Sequence, residues 1–200
     1  MKTLYIIIGS IVVFFIIAQF FIHRSSTKIE FYPYTVAKLV EEIEIRDYQA
    51  RLFTNVPLAN EGYKQNASNG FSKLGGYIFG ANERNQKIAM TSPVSMSIGD
   101  SVTMMFMVPK EIKKEDLPKL NQSNIVFKEE PAKTMAAISF SGWANDNKIK
   151  SFKDKLTLAL EKHGIVHQKR FYFFGYNAPY EVFNRLNEVL VEIEAPHDSY

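Results

Sequence analysis

Four histidines, seven methionines and no cysteine are the residues from which this chain could build a metal or redox site. Without cysteine, disulfides, zinc–thiolate sites, iron–sulfur ligation and a thiol nucleophile are all excluded. The absence fits an oxidising or a reducing compartment equally. His23 and His197 lie near the two ends of the sequence. His163 and His167 have the i, i+4 spacing of a helical ligand pair, but Gly164 should end the helix between them, and no glutamate sits between them for a zinc-protease motif. Structural or solvated roles are expected for all four. Six methionines, Met90, Met96, Met104, Met105, Met107 and Met135, follow in the later sequence. A thioether can ligate iron, but adaptable methionine on strands usually fills a core. Glu41, Glu42 and Glu44 read as a strand's polar face and form no acid–base dyad. Nucleophile-elbow, phosphate-loop and dinucleotide-binding motifs are absent. A non-enzymatic protein is expected, with metal ligands unassigned.

Composition narrows the partners. A formal charge of +3 without a dense Lys/Arg stripe argues against nucleic acid. Hydrophobic residues at 46% and charged residues at 22% describe an ordered globular chain. Aromatic content of 14% implies either a bulky core or an aromatic-lined pocket.

The elements that would position any site begin after an apolar run, Leu4 to Ile22. At 1.5 Å per residue, roughly 19 residues span about 28 Å, close to the hydrocarbon thickness of a bilayer. The run ends Ala18-Gln-Phe-Phe-Ile22, without the small residues of a cleavage site. It is read as a single-pass transmembrane anchor, residues 1–24, with the following domain outside the cytoplasm. Residues 25–35 read as a linker, 36–195 as a globular domain and 196–200 as a tail.

Within that domain, Val40, Ile43 and Ile45 alternate with charged residues as a half-buried strand, and Arg51 to Val56 continues it or pairs with it. Ser68 or Asn69 can cap a helix whose apolar face is Phe71, Leu74 and Ile78. Gly75 and Gly76 lie inside this helix at a cost of roughly 1 kcal/mol each. Either close packing on a sheet or room for a flat ligand would compensate. Gly80 ends the helix, Asn82 to Lys87 form a turn, and Ile88 to Ile98 run on as one extended segment with Pro93 at an edge or bulge. Gly99-Asp100 is a hairpin signal between Met96–Ile98 and Ser101–Val108. Ile125 to Phe127 and Thr134 to Phe140 read as strands. A second helix runs from Asp146 to His163, followed by strands at Lys169 to Phe174 and Glu188 to Glu194. Strand, helix and two strands thus occur twice, with Gly80-Ala-Asn82 and Gly175-Tyr-Asn177 as loosely matching landmarks. The order favours an α+β domain with an antiparallel sheet.

The stretch Tyr77-Ile-Phe-Gly-Ala-Asn-Glu-Arg-Asn-Gln-Lys-Ile-Ala-Met-Thr-Ser-Pro-Val94 resembles the signature of the SOUL haem-binding family. Other landmarks follow in the same order: Glu44-Ile-Arg46 with Tyr48, Ser139-Phe-Ser-Gly142, Phe174-Gly-Tyr-Asn-Ala-Pro179, Arg185 and Asn187-Glu-Val189. The likeness runs from about Val40 to Glu194. It implies a distorted, pseudo-twofold antiparallel β-barrel or sheet with two flanking helices. It also implies haem, or another tetrapyrrole, in an apolar pocket walled by Phe71, Leu74, Gly75 and Ile78, with Arg84 or Lys87 meeting a propionate. Two positions depart from the family. Asp47 stands where some members carry an axial histidine, so iron ligation from that strand is not expected. Glu181 stands where some carry a basic residue. The expectation is a membrane-anchored, non-enzymatic protein that buffers, carries or senses haem. The rival is a small-molecule sensor or protein-interaction module that keeps the fold without haem.

Overall fold

The computed structural model describes residues 4–11, 13–14, 29–59, 61–119, 124–178 and 180–194. The first two stretches are helical and exposed. Among the described residues no helix is long and apolar enough to cross a membrane. The rest of the expected anchor (residues 1–3, 12 and 15–24), residues 25–28 of the linker and the tail lie outside the described residues.

From Glu30 the chain folds into strands β1 (Glu30–Phe31), β2 (Tyr34–Val40), β3 (Ile43–Tyr48) and β4 (Arg51–Leu58), then helix α1 (Tyr63–Ile78). Strands β5 (Thr91–Ser92), β6 (Val94–Ile98), β7 (Val102–Met107), β8 (Val126–Glu130) and β9 (Lys133–Ser141) follow. Helix α2 (Asp146–Lys162), β10 (His167–Gly175) and β11 (Leu186–Ile193) complete it. Nine strands form one sheet in the order β2-β3-β9-β11-β10-β6-β7-β4-β8, while β1 and β5 make a short parallel pair. Every neighbouring pair in the large sheet is antiparallel.

The sheet does not close, which corrects the barrel part of the expectation. Its edges are β2, exposed along most of its length, and β8. No ladder joins them. Side chains link the strands next to those edges instead. Tyr32 lies across the sheet with its ring centroid 4.6 Å from that of Tyr48 on β3 and 5.2 Å from that of Phe53 on β4. Aromatic packing there does what a closing ladder would do in a barrel.

The strand order is a palindrome. Exchanging β3 with β8, β9 with β4, β11 with β7 and β10 with β6 reproduces β3-β9-β11-β10-β6-β7-β4-β8 read from the other end. The pseudo-twofold axis therefore passes between β6 and β10, and the first strand of each repeat pairs with the other half. Glycines mark the repeat differently from the sequence reading. Gly80 and Gly164 both follow the helices at positive φ, whereas Gly175 ends β10 as Gly99 follows β6.

Both helices cover one face. Helix α1 packs on β4 and β7 through Leu74, Tyr77 and Ile78, and α2 packs on β9, β10 and β11 through Ile149, Leu156 and Leu160. Helix α2 starts where local chemistry says it should, since the Asn145 side chain accepts from the Lys148 amide at 2.9 Å. Helix α1 starts more than a turn before Ser68. Its cap comes from the other helix: the Tyr63 amide donates to the Asp146 carboxylate at 2.7 Å. Gly62, at φ 88°, makes the turn beneath it. The extended segment expected from Ile88 breaks at Pro93 into β5 and β6, and β6 is central, not an edge. Glu41 and Glu42 fall in the β2–β3 turn, so only Glu44 sits on a strand.

Candidate functional site

Helix α1 carries the residues named for a ligand pocket, and the structure divides them. Leu74 is fully buried and Ile78 nearly so, both within the core beneath the helix. They hold α1 to the sheet and present no open wall. Gly70 and Tyr77 turn toward the outer strands: a Cβ on Gly70 would meet Leu58 and Met104, and the Tyr77 ring lies 6.0 Å from Phe127. The opposite flank is Phe71, Gly75 and Phe79, spaced one turn apart and directed toward the middle of the sheet. A Cβ on Gly75 would lie 3.3 Å from the Phe71 ring and 3.5 Å from the Phe79 ring. Without it, the two phenyl rings close over the Gly75 backbone, which is itself buried. Phe79 is 58% exposed there. Gly76, by contrast, has only Ala81 at 3.9 Å and serves no close approach.

Arg84 and Lys87 are exposed in the turn after α1. Arg84 donates to the Asp116 carbonyl at 3.1 Å and acts electrostatically on Tyr77. That ring lies about 200° around the helix from Gly75. The structure therefore does not bring Arg84 together with Phe71 and Gly75.

The remaining signature residues shape the end of the helix. Tyr77 donates its hydroxyl to the Pro118 carbonyl at 2.9 Å, and burial pushes its phenol up to about 12. The Asn82 amide donates to the carbonyls of Tyr77 and Gln86, while its oxygen accepts from the amides of Arg84 and Gln86. Thr91 donates to the Met107 carbonyl at 2.7 Å. Asp47 is exposed and accepts from Thr134, and Glu181 is buried and accepts from Asn177 at 2.7 Å. His163 meets Glu41 at 3.1 Å, and His167 meets the Gln168 carbonyl. Among the described residues no group of His, Asp or Glu is arranged to hold a metal.

The helix-free face of the sheet holds two further features. In one half, Arg46 makes a bidentate pair with Glu188 at 2.9 and 2.8 Å, and both are buried. Tyr176 and Ser139 donate to the same carboxylate at 2.6 and 2.9 Å. Burial and the neighbouring Glu188 charge raise the Tyr176 phenol well above its ordinary range. In the other half lies an open cleft of about 450 Å³. Asn55, Thr103, Met105, Lys128, Arg170 and Tyr172 are among its lining residues, drawn from β4, β7, β8 and β10. Sequence reasoning missed this cleft because its lining is spread along the chain from Asn55 to Tyr172 and meets only in the folded sheet. One signal was present, the polar pair Thr54-Asn55 between Phe53 and Val56. The exposed Phe79 was also missed, since it falls just past the helical periodicity.

Comparison with known proteins agrees with this architecture. The family model described as SOUL heme-binding protein matches residues 29–192. Heme-binding protein 2 of Mus musculus is 31% identical over 157 residues, covering 73% of this chain and 75% of the relative. Its Homo sapiens counterpart is 30% identical over the same lengths. Among solved structures, the EcmrR C-terminal domain superposes with a TM-score of 0.62 at 12% identity, covering 78% of this chain and 99% of that one. A hydrolase from Listeria innocua gives 0.52 at 9% identity, covering 79% and 94%. At such identities these structures share the fold alone. The family match, which spans nearly the whole described domain, places this chain in the SOUL heme-binding protein family.

Proposed function

We propose that this protein is a non-enzymatic haem-binding protein, tethered to a membrane by residues 1–24, with its domain outside the cytoplasm, and that it buffers, carries or senses haem. The observation that carries the reading is the Phe71–Gly75–Phe79 flank of α1. A tetrapyrrole needs an apolar surface, and Phe71 and Phe79, which close over Gly75 because it lacks a Cβ, offer one with Phe79 exposed. The fit is to the macrocycle face and not to the iron, because no histidine lies on α1. Phe71 and Phe79 would pack against the macrocycle, Gly75 would let the two phenyl rings close together, and Leu74 and Ile78 would hold the wall from beneath. Of the two cations, Arg84 is drawn toward Tyr77 and Asp116, which leaves Lys87 to meet a propionate. Bound haem supplies a redox-active iron, and these residues contribute burial and charge. The absence of an acid–base dyad and the names of the relatives support a binding role over catalysis.

The test is a hemin titration of the full-length chain in lipid nanodiscs, followed at the Soret band against empty nanodiscs. A saturable shift near one equivalent is expected, and Phe79→Asp should weaken it by about tenfold or more. No saturable shift from a protein with native circular dichroism would overturn the reading. Leu74→Arg is unsuitable as a site probe, because a charge at a fully buried core position unfolds the domain.

A further inference from the structure

The two halves of the helix-free face share a backbone plan but are filled differently. The ladder registers let equivalent positions be matched across the pseudo-twofold axis. Arg46 opposes Met135 on β9, as Lys128 opposes Phe53 on β4. Ser139 opposes Glu188 on β11, as Pro57 opposes Thr103 on β7. Phe174 opposes Glu188 on β10, while Ser97 flanks Thr103, to whose amide its hydroxyl is bonded. Where the closed half has Arg46, Glu188 and Phe174, the cleft therefore has Lys128, Thr103 and Ser97. The cation is kept, the carboxylate is replaced by a neutral residue, and a phenyl ring is replaced by a hydroxymethyl group.

That exchange explains both the volume and the charge of the cleft. Arg170 on its rim bonds Ser101 at 2.9 Å and has no carboxylate partner among the described residues. Glu130, the acid in the cleft, is bonded to both Lys128 and Lys133 at 2.6 and 2.8 Å. The two lysines hold its carboxyl below the usual range, so it stays ionised and occupied. The lining thus carries more positive than negative charge, which disfavours a cationic ligand. On the floor, Asn55 is 5% exposed and its Oδ1 has no partner. A buried polar atom without a partner is costly, and because an amide oxygen only accepts, a ligand hydroxyl is the group that would relieve it. Met105, Tyr172 and Pro57 supply the apolar surface.

We propose that this cleft is a second binding site, for a small organic carboxylate whose aromatic or short aliphatic body bears a hydroxyl group. The ligand's carboxylate takes the place, beside Thr103 and between Lys128 and Arg170, that the Glu188 carboxylate fills in the other half. A volume of about 450 Å³ suits a small metabolite. The site lies on the opposite face of the sheet from α1 and does not depend on haem.

The test uses the full-length chain in nanodiscs, labelled with carbon-13 at the methionine methyls. Met105 lines the cleft, whereas Met96 and Met104 lie in the core on the helix side. Titration with 6-hydroxy-2-naphthoate should shift the Met105 methyl saturably and leave Met96 and Met104 in place. The size-matched cation 6-hydroxy-2-naphthylmethylammonium should not shift it. Thr103→Glu, which supplies the missing carboxylate from within, should weaken naphthoate by about tenfold or more. Hemin titration of the same variant should be unchanged. The proposal is overturned if Met105 does not respond, if the cation acts equally, or if Met96 and Met104 move as much. It is also overturned if Thr103→Glu leaves naphthoate binding intact, or if that variant loses haem and naphthoate together, since the two sites would then be one.

Discussion

Glu188→Gln is the most demanding perturbation of the fold, because one carboxylate serves four side-chain donor atoms. It accepts two hydrogen bonds from Arg46, at 2.9 and 2.8 Å, one from Tyr176 at 2.6 Å and one from Ser139 at 2.9 Å. Glutamine keeps the shape but removes the charge, and its amide nitrogen meets guanidinium donors. The cost of leaving a buried charge unpaired is about 3–5 kcal/mol. Glu44, 2.7 Å from Arg46 Nε and 37% exposed, still offers partial compensation, which places the expected loss near ~3 kcal/mol. For a domain of this size that lowers Tm by roughly 6–12 °C. Denaturant unfolding at neutral pH measures the free energy, and circular dichroism measures the melt. The charge argument also fixes the sign of a second experiment. Replacing both partners, in Arg46→Met with Glu188→Leu, removes the unpaired charge and its desolvation together, so the double variant should be more stable than Glu188→Gln. A Glu188→Gln protein within ~1 kcal/mol of the parent, or a double variant less stable than the single one, would refute the reasoning.

Two glycines of α1 should respond in opposite directions. Gly70→Ala drives a Cβ to 2.7 Å from the Met104 sulfur and should cost about 1–3 kcal/mol in denaturant unfolding. Gly76→Ala meets only Ala81 at 3.9 Å and should stabilise by about 0.5–1 kcal/mol through helix propensity; a loss at Gly76 would show a role for that glycine beyond backbone freedom. Alkaline pH should unfold the domain early. Burial raises the phenols of Tyr32, Tyr48 and Tyr176, and takes Tyr77 from 10.0 to about 12. The unfolded chain then loses protons that the folded chain keeps, so stability is full below about pH 10 and falls as pH rises from there toward 12, by about 1.4 kcal/mol per pH unit for each such tyrosine. Melting temperature recorded across that window checks it, and a flat profile would contradict the burial of these rings.

What the sequence made legible was local, and what it hid was not. Helix α2 was readable at both ends because its cap, Asn145, and its stop, Gly164, are neighbours in the chain. Helix α1 was misplaced at its start because its first amide is satisfied by Asp146, more than eighty residues away. The repeat was visible as an order of elements, yet its landmarks were mispaired, since glycines at helix ends and strand ends look alike in sequence. Closure of the sheet was equally beyond reach. It depends on whether β2 and β8 meet, and the residue that decides the geometry, Tyr32, lies in the part of the chain read as a linker.

The signature teaches a similar lesson about sites. Tyr77, Gly80, Asn82 and Thr91 are satisfied within the protein, through a phenol, a left-handed turn, an amide with four bonds and a hydroxyl on a strand carbonyl. They fix where α1 ends and how β5 begins, and so aim the flank that carries Phe71, Gly75 and Phe79. Their chemistry is that of a mounting, and the surface it presents is chosen by other residues. A chain could keep Tyr77, Gly80, Asn82 and Thr91 and still change the surface this flank presents by altering Phe79 or filling Gly75. The same reasoning applies on the far face of the sheet, where one backbone plan is closed by Arg46 and Glu188 in one half and left open beside Thr103 in the other. Substitutions at such side chains alter the surface the fold presents while the strand order and the helix ends stay as they are.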